Sequence, residues 1–310
     1  MPEEYPATLL EFEKQFSTEE ACRDYLSRLR WPDGFRCPRC DSSRVWARSR
    51  GGLMECAHCG YKTSATAGTL FDRARVPLQL WFRAIWLVTS QKNGASALGL
   101  QRQLGLKRYE TVWTMLHKLR RAMVRPGREQ LSGRVEVDET FVGGVEKGAH
   151  GRESGTKSLV AIGAEEDRKG IGRIRLEVVP DGSASSLIPF VERNVKPGSV
   201  VHTDGWDGYR GLSAKGYRHN VTKIKGSGKL GHELMPCVHR VASLLKRWLL
   251  GTHQGAVRPP HLDYYLDEFT FRFNRRTSQK RGKLFYRLVQ QAAQVQPVHW
   301  ADVADGERRS

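Results

Sequence analysis

With 310 residues, 39% of them hydrophobic and including eight Trp and eleven Phe, the chain can bury two or three cores, and its composition excludes a wholly disordered protein. Lys and Arg outnumber Asp and Glu by 51 to 33, a net charge of +18, and such a field favours polyanions such as nucleic acid over small metabolites. No apolar run is long enough for a membrane span, and the opening Met1-Pro2-Glu3-Glu4-Tyr5 lacks the basic and apolar regions of an export signal, so a reducing cytoplasmic setting is expected.

In chain order, residues 9–30 carry helical spacing (Leu10, Phe12, Phe16, Cys22, Tyr25, Leu26), with Ser17-Thr18-Glu19-Glu20 as a helix-start signal. Cys37-Pro38-Arg39-Cys40 and Cys56-Ala57-His58-Cys59 follow, with fifteen residues between the pairs. Each C-x-x-C offers two thiolates from one tight turn, and two such turns close the tetrahedral shell of a structural Zn²⁺. Four cysteines suffice, so His58 is not expected as a ligand, and Cys22 and Cys237 read as packing residues.

Between residues 81 and 128 ten Lys or Arg face a single acid, Glu110. Residues 95–104 read as a short helix, Gly105-Leu106-Lys107 as a turn, and 109–123 as a longer helix, together a helix-turn-helix module that offers Arg102, Lys107, Arg108 and Lys118 to DNA. An αα-hairpin with a solvated basic face is the competing reading, and the charge asymmetry weighs against it. After a Pro-Gly linker the periodicity turns towards two: strands are expected around 135–141, 158–163, 173–179 and 199–203, a helix over 185–195, and helices from 238 to 275. The Gly- and charge-rich segment 143–156 reads as a mobile loop. The expected organisation is an α/β chain with a helix and zinc ribbon in 1–75, a helix-turn-helix region in 76–128, a mixed-sheet domain in 129–300 and a disordered tail in 301–310.

Two acids stand out: Asp138 within Val135-Glu136-Val137-Asp138-Glu139-Thr140, and Asp204 at the end of Val200-Val201-His202-Thr203-Asp204-Gly205. Acids at strand ends of an open α/β sheet are candidate site residues, and paired carboxylates suit divalent ions such as Mg²⁺. Glu136, Glu139 and Asp207 are nearby alternatives; Glu136 shares the strand face of Asp138, whereas Glu139 points away. In 238–249, Val241, Leu244, Leu245, Trp248 and Leu249 form a core-facing helical stripe. His239 and Lys246 lie on one polar line, seven residues apart.

These stretches, with Leu244-Leu245-Lys246-Arg247, Gly251-Thr252-His253 and the run from Tyr265 to Arg276, resemble the DDE-type transposases of bacterial insertion sequences. The similarity is to the family with an N-terminal zinc ribbon and helix-turn-helix ahead of a ribonuclease-H-like catalytic domain. It implies binding to terminal inverted repeats, metal-dependent strand cleavage and strand transfer into target DNA. It also implies a homo-oligomer on DNA and a bacterial, nucleoid-associated location. Asp138 and Asp204 match the first two catalytic acids of the family. Its third residue, usually Glu or Asn, precedes a Lys by seven, which lands on His239, with thirty-four residues between it and Asp204 and Lys246 as a phosphate clamp. The neutral imidazole nitrogen of His239 would serve either a metal or the scissile phosphate, and as a metal donor it suits Mn²⁺ better than Mg²⁺. Glu233 is the nearest acid but lies ahead of Pro236, off the helix. A second basic run, 269–287, holds seven Lys or Arg and no acid, among them Arg272, Arg275 and Arg276, and reads as a second DNA track. The competing functional reading is a non-catalytic zinc-ribbon and helix-turn-helix regulator, or an inactive remnant.

Overall fold

The computed structural model describes residues 3–46, 52–125, 127–143, 157–168, 170–223, 228 and 230–305. The expected mobile loop over 143–156 lies, apart from Gly143, outside the described residues. The chain forms two compact units, one of Met1–Arg125 with Ser278–Ser310 and one of Pro126–Thr277.

The first unit opens with helices α1 (Leu9–Gln15) and α2 (Glu19–Arg30), started by Thr8 and Thr18, whose hydroxyls accept from Glu11 N and Ala21 N at 3.2 and 3.1 Å. A three-stranded antiparallel sheet follows, β1 (Val45–Trp46), β2 (Leu53–Cys56) and β3 (Lys62–Ser64). Helix α3 (Leu78–Ser90) begins without a cap of its own, and the Glu19 carboxylate accepts from Leu78 N and Gln79 N instead. Helices α4 (Ala97–Leu104) and α5 (Tyr109–Ala122) form the expected helix-turn-helix pair. Ser96 caps α4 by accepting from Gly99 N at 3.1 Å, and Gly105 ends it at φ 65, the left-handed conformation that a glycine adopts without a Cβ clash.

The second unit carries β4 (Arg134–Val142), β5 (Ser158–Asp167) and β6 (Gly170–Val179), then α6 (Ala184–Asn194), β7 (Val200–Thr203) and β8 (Arg218–Val221). The sheet order is β6-β5-β4-β7-β8, with β4, β5 and β6 antiparallel and β7 and β8 parallel to β4. This is the ribonuclease-H-like mixed sheet expected from the sequence. Strand β5 is buried on both faces, which is why its residues read as a continuous apolar run. The edge strand β8 has no counterpart in the sequence reading, because Arg218-His219-Asn220-Val221 has no buried face to impose an alternation.

On one face of the sheet, Val135, Val137 and Val201 pack with Leu187, Phe190 and Val191 of α6. On the other, Ile162, Ala164, Ile174 and Leu176 pack with α8 (Pro236–His253) and α9 (Leu262–Phe273). A one-turn helix, α7 (Gly231–Leu234), precedes α8. The expected stripe of α8 is the buried one: Val241, Leu245 and Leu249 lie in this core, with Leu244 and Trp248 packed against it.

Two boundaries differ from expectation. Helix α10 (Arg281–Ala292) belongs to the first unit rather than to a sheet domain ending at 300. The fully buried Phe285 ring meets Phe12, Phe16, Tyr25, Phe82 and Trp86 at centroid distances of 5.3–6.3 Å, and such an aromatic cluster outweighs proximity along the chain. The expected disordered tail begins instead as helix α11 (Trp300–Ala304), anchored by the buried Val303 and capped where Asp302 accepts from His299 N at 2.9 Å. Residues 306–310 lie outside the described residues.

Candidate functional site

The parallel register of β4 and β7 sets Glu136 beside His202. Two residues further along each strand come Asp138 and Asp204, on the same face by the alternation of side chains. Asp204 leaves the strand through Gly205, whose φ of +87 and close approach to Val221 exclude a side chain. Its Oδ1 accepts from Trp206 N at 3.0 Å, which fixes the carboxylate at the strand end. Helix α8 closes the site from above. His239 Nε2 is 3.8 Å from Asp138 Oδ2, a contact between residues 101 positions apart in sequence that only the packing of α8 on β4 creates.

His239 Nε2 is buried and has no hydrogen-bond partner among the described residues. Burial, and then the His232 imidazole, hold His239 below its ordinary pKa against the attraction of the Asp204 carboxylate. The ring is therefore neutral at neutral pH, with a lone pair available as a donor. Asp138, Asp204 and His239 carry oxygen and nitrogen donors of the kind a divalent ion takes, and the orphaned Nε2 lies beside the Asp138 carboxylate, but the donor atoms of the three do not all stand within 4.8 Å of one another. Lys246 remains exposed at the surface; partial burial and then Lys157 lower its pKa.

The alternatives divide by face. Glu139 turns to the α6 side, where its Oε2 accepts from the hydroxyl of the buried Tyr209 at 2.7 Å. Tyr209 was not foreseen, and no pattern in its neighbourhood marks it. Asp207 is exposed and pairs with Arg210 at 2.9 Å. Glu233 lies in α7 and accepts from Leu230 N at 3.0 Å, a capping role off the α8 helix. Glu136 is 2% exposed and accepts from Val238 N at 2.9 Å. Burial, and also the neighbouring Glu166, raise its pKa against that hydrogen bond.

The four ribbon cysteines converge. Cys37 Sγ is 3.7 Å from Cys59 Sγ, and Cys40 Sγ is 3.6 Å from Cys56 Sγ. A tetrahedral zinc with Zn–S of about 2.3 Å spaces its sulfurs by about 3.8 Å, so the cluster fits Zn²⁺. The two knuckles are built alike: Asp41 (φ 56) and Gly60 (φ 69) turn left-handed, and their N–H groups donate back to Cys37 O and Cys56 O at 2.9 Å. Burial opposes ionisation of Cys56, yet donation from the Cys59 and His58 backbone N–H groups brings its thiol down to about 6, which favours the thiolate a metal needs. His58 is not among the grouped ligands.

Comparison with known proteins decides the family. Residues 130–274 match the model described as an ISXO2-like transposase domain, and residues 17–62 match a transposase zinc-ribbon domain. The chain belongs to the insertion-sequence transposases. Over 300 residues it is 26% identical to an uncharacterized protein in transposable element ISH50 of Halobacterium salinarum, covering 90% of this chain and 98% of that protein. It is also 25% identical over 112 residues to an uncharacterized transposase-like protein of Haemophilus influenzae, covering 36% of this chain and 89% of that one.

For a transposase, the accessibility of the basic side chains matters as much as their number. Arg102, Lys107 and Arg108 are exposed around the turn between α4 and α5. Lys118 is half-buried; burial lowers its pKa, and the nearby Asp302 and Asp72 oppose that. Arg120, counted among the basic face in the sequence, is instead fully buried beside His117. Arg275 and Arg276 are committed within their own unit. Arg275 stacks on Phe271 at 4.0 Å and donates to Phe271 O. Arg276 stacks on Phe273 at 4.1 Å and donates to Gly172 O and Ile171 O, tying the end of α9 to the start of β6. Arg272 is half-buried on α9. Lys283 and Arg287 pair with Glu3 in the first unit, so the basic run 269–287 is divided between the two units. Among the described residues no helix is long and apolar enough to cross a membrane.

Proposed function

We propose that this transposase binds the terminal inverted repeats of its element and catalyses strand cleavage at their ends followed by strand transfer into target DNA. The observation that supports this reading most is the approach of His239 Nε2 to within 3.8 Å of Asp138 Oδ2, next to the strand end that carries Asp204. Asp138 and Asp204 would hold the divalent ions, Mg²⁺ or Mn²⁺, and His239 would add a neutral nitrogen donor. The chemistry such ions supply is activation of the attacking oxygen and neutralisation of charge on the leaving oxygen.

The chain's own residues have three tasks. The carboxylates fix where the scissile phosphate sits. His239 stays uncharged, so it does not compete with the ions for the carboxylates. Lys246, on the same line of α8, holds a phosphate oxygen of the DNA backbone as a point charge. Water releases a 3′-hydroxyl at the transposon end, and that hydroxyl then attacks a target phosphate in line, expelling the target's own 3′-oxygen. The ribbon and the turn bearing Arg102, Lys107 and Arg108 carry sequence recognition, with the half-buried Lys118 and Arg272 in supporting contact, while Arg275 and Arg276 brace their own unit. The assembly is a homo-oligomer on double-stranded DNA in the bacterial cytoplasm, at the nucleoid.

The test is cleavage and joining of end DNA by purified full-length protein. Asp138→Asn and Asp204→Asn should abolish both reactions while a gel shift shows end binding retained; either variant joining DNA at the wild-type rate would end the proposal. His239→Ala should lose strand transfer and, in the wild type, Mn²⁺ should support more activity than Mg²⁺. Binding should weaken steeply with salt, and Arg102→Ala should lower the slope by about one.

A further inference from the structure

One residue pair behind Asp138 and Asp204 on the same sheet face lies a second cluster of donors. Glu136 of β4, Glu166 of β5 and His202 of β7 place one ligand atom each within 4.8 Å of one another. Glu136 is 2% exposed and His202 4% exposed. His202 Nε2 lies 2.7 Å from Thr222 Oγ1, and the tautomer that donates Nε2–H to this hydroxyl leaves Nδ1 as a bare lone pair. That Nδ1 is buried, has no hydrogen-bond partner among the described residues and faces Glu166 Oε1 at 3.7 Å.

A lone pair aimed at a carboxylate oxygen inside a protein is repulsive unless a cation lies between them. The charge is uncompensated as well. Two carboxylates share the cluster with one guanidinium, that of Arg134, whose Nε donates to Glu166 Oε1 at 2.7 Å. The arrangement has the form of a metal-binding imidazole, one ring nitrogen held by an orienting partner and the other directed at acidic oxygens.

We propose that Glu136, Glu166 and His202 form a divalent-metal site of zinc type, separate from the ions held by Asp138 and Asp204. The ion is structural. It joins three adjacent strands and, because Glu136 also accepts from Val238 N, fixes the first turn of α8 and so the position of His239. Two oxygens and one nitrogen are a donor set Zn²⁺ accepts. Closing a tetrahedral shell, in which oxygen and nitrogen ligands stand about 3.4 Å apart around a 2.0–2.1 Å ion, requires the side chains to move inwards.

The experiment uses full-length protein, equilibrated with zinc and freed of excess metal, with the zinc content per chain read by atomic emission. Four proteins are compared: wild type, Asp138→Asn/Asp204→Asn, and each of these with Glu166→Gln. The side chain of Glu166 is 29% exposed, so its isosteric amide leaves the core packing intact, which the thermal transition checks. The expected result is the loss of one zinc per chain on Glu166→Gln in both backgrounds, with the ribbon zinc retained. Cobalt loading separates the two sites further. Thiolate charge-transfer absorption from the ribbon should persist in Glu166→Gln and in His202→Gln, while a visible band from the second ion disappears. Unchanged zinc content on Glu166→Gln would overturn the proposal. So would a loss seen only where Asp138 and Asp204 are intact, because the ion would then belong to the catalytic carboxylates.

Discussion

The ribbon holds four thiols with two turns and three short strands, in which Val45, Trp46 and Leu53 are exposed. The five-stranded sheet instead holds its site between two packed faces, with Phe190, Val135 and Val137 fully buried on one and Ile162, Val241 and Leu245 buried on the other. In the ribbon the four thiols stand in for a core, and a metal bound to them would supply the folding energy. In the sheet the core comes first, and the acids ride on its register. The ribbon should therefore fail all at once when a ligand is lost, whereas the sheet should lose function and stability by separate substitutions.

The largest effect is expected from Cys56→Ser. Loss of the fourth ligand should remove on the order of 10 kcal/mol of metal-derived folding energy, so limited proteolysis should cut the ribbon while the sheet unit stays resistant. A ribbon that resists protease without zinc would break the contrast. Phe190→Ala is the matching lesion in the sheet, and a cavity at a fully buried ring should cost about 3–5 kcal/mol in urea unfolding with zinc still bound.

A smaller effect is expected at Glu165. Its carboxylate accepts from Ser132 N, Arg173 N and the Arg173 guanidinium at 2.7–3.0 Å. Burial raises its pKa, but the Arg173 side chain and these N–H donors outweigh burial, and the net value is lowered. A carboxyl whose folded pKa is depressed contributes stability that is fully present above the ordinary Glu range and is lost as pH falls through the lowered folded value. Glu165→Gln should cost about 2 kcal/mol at neutral pH and flatten that acid limb in unfolding measured from neutral to strongly acidic pH. The smallest effect is expected for Tyr209→Phe, which removes the donor to Glu139 and should cost about 1 kcal/mol. Strand transfer lost outright in this variant would mean that Glu139 belongs to the site.

The ribbon was legible because a C-x-x-C turn brings its ligands together within four residues, so spacing alone carries the geometry. The strands of the central sheet were legible for a related reason: burial on one face or both writes an apolar pattern into the chain. An edge strand such as β8, with little buried, writes none. The amphipathic pattern of α10 says that one face is covered but not by what, and its place with α1, α2 and α3 follows from rings hundreds of residues earlier.

The chain by itself determined the four converging cysteines, the paired helices α4 and α5, the core strands and Asp138 and Asp204 as candidate acids, because each depends on local spacing or periodicity. Only the tertiary structure decided that His239 meets Asp138, that Arg120 is buried, that Arg275 and Arg276 are tied to their own unit, and that Glu136, Glu166 and His202 share one cluster. The meeting of His239 with Asp138 and the cluster of Glu136, Glu166 and His202 join residues from 30 to 101 positions apart. These two are set by strand register and by the packing of α8, which no local pattern encodes.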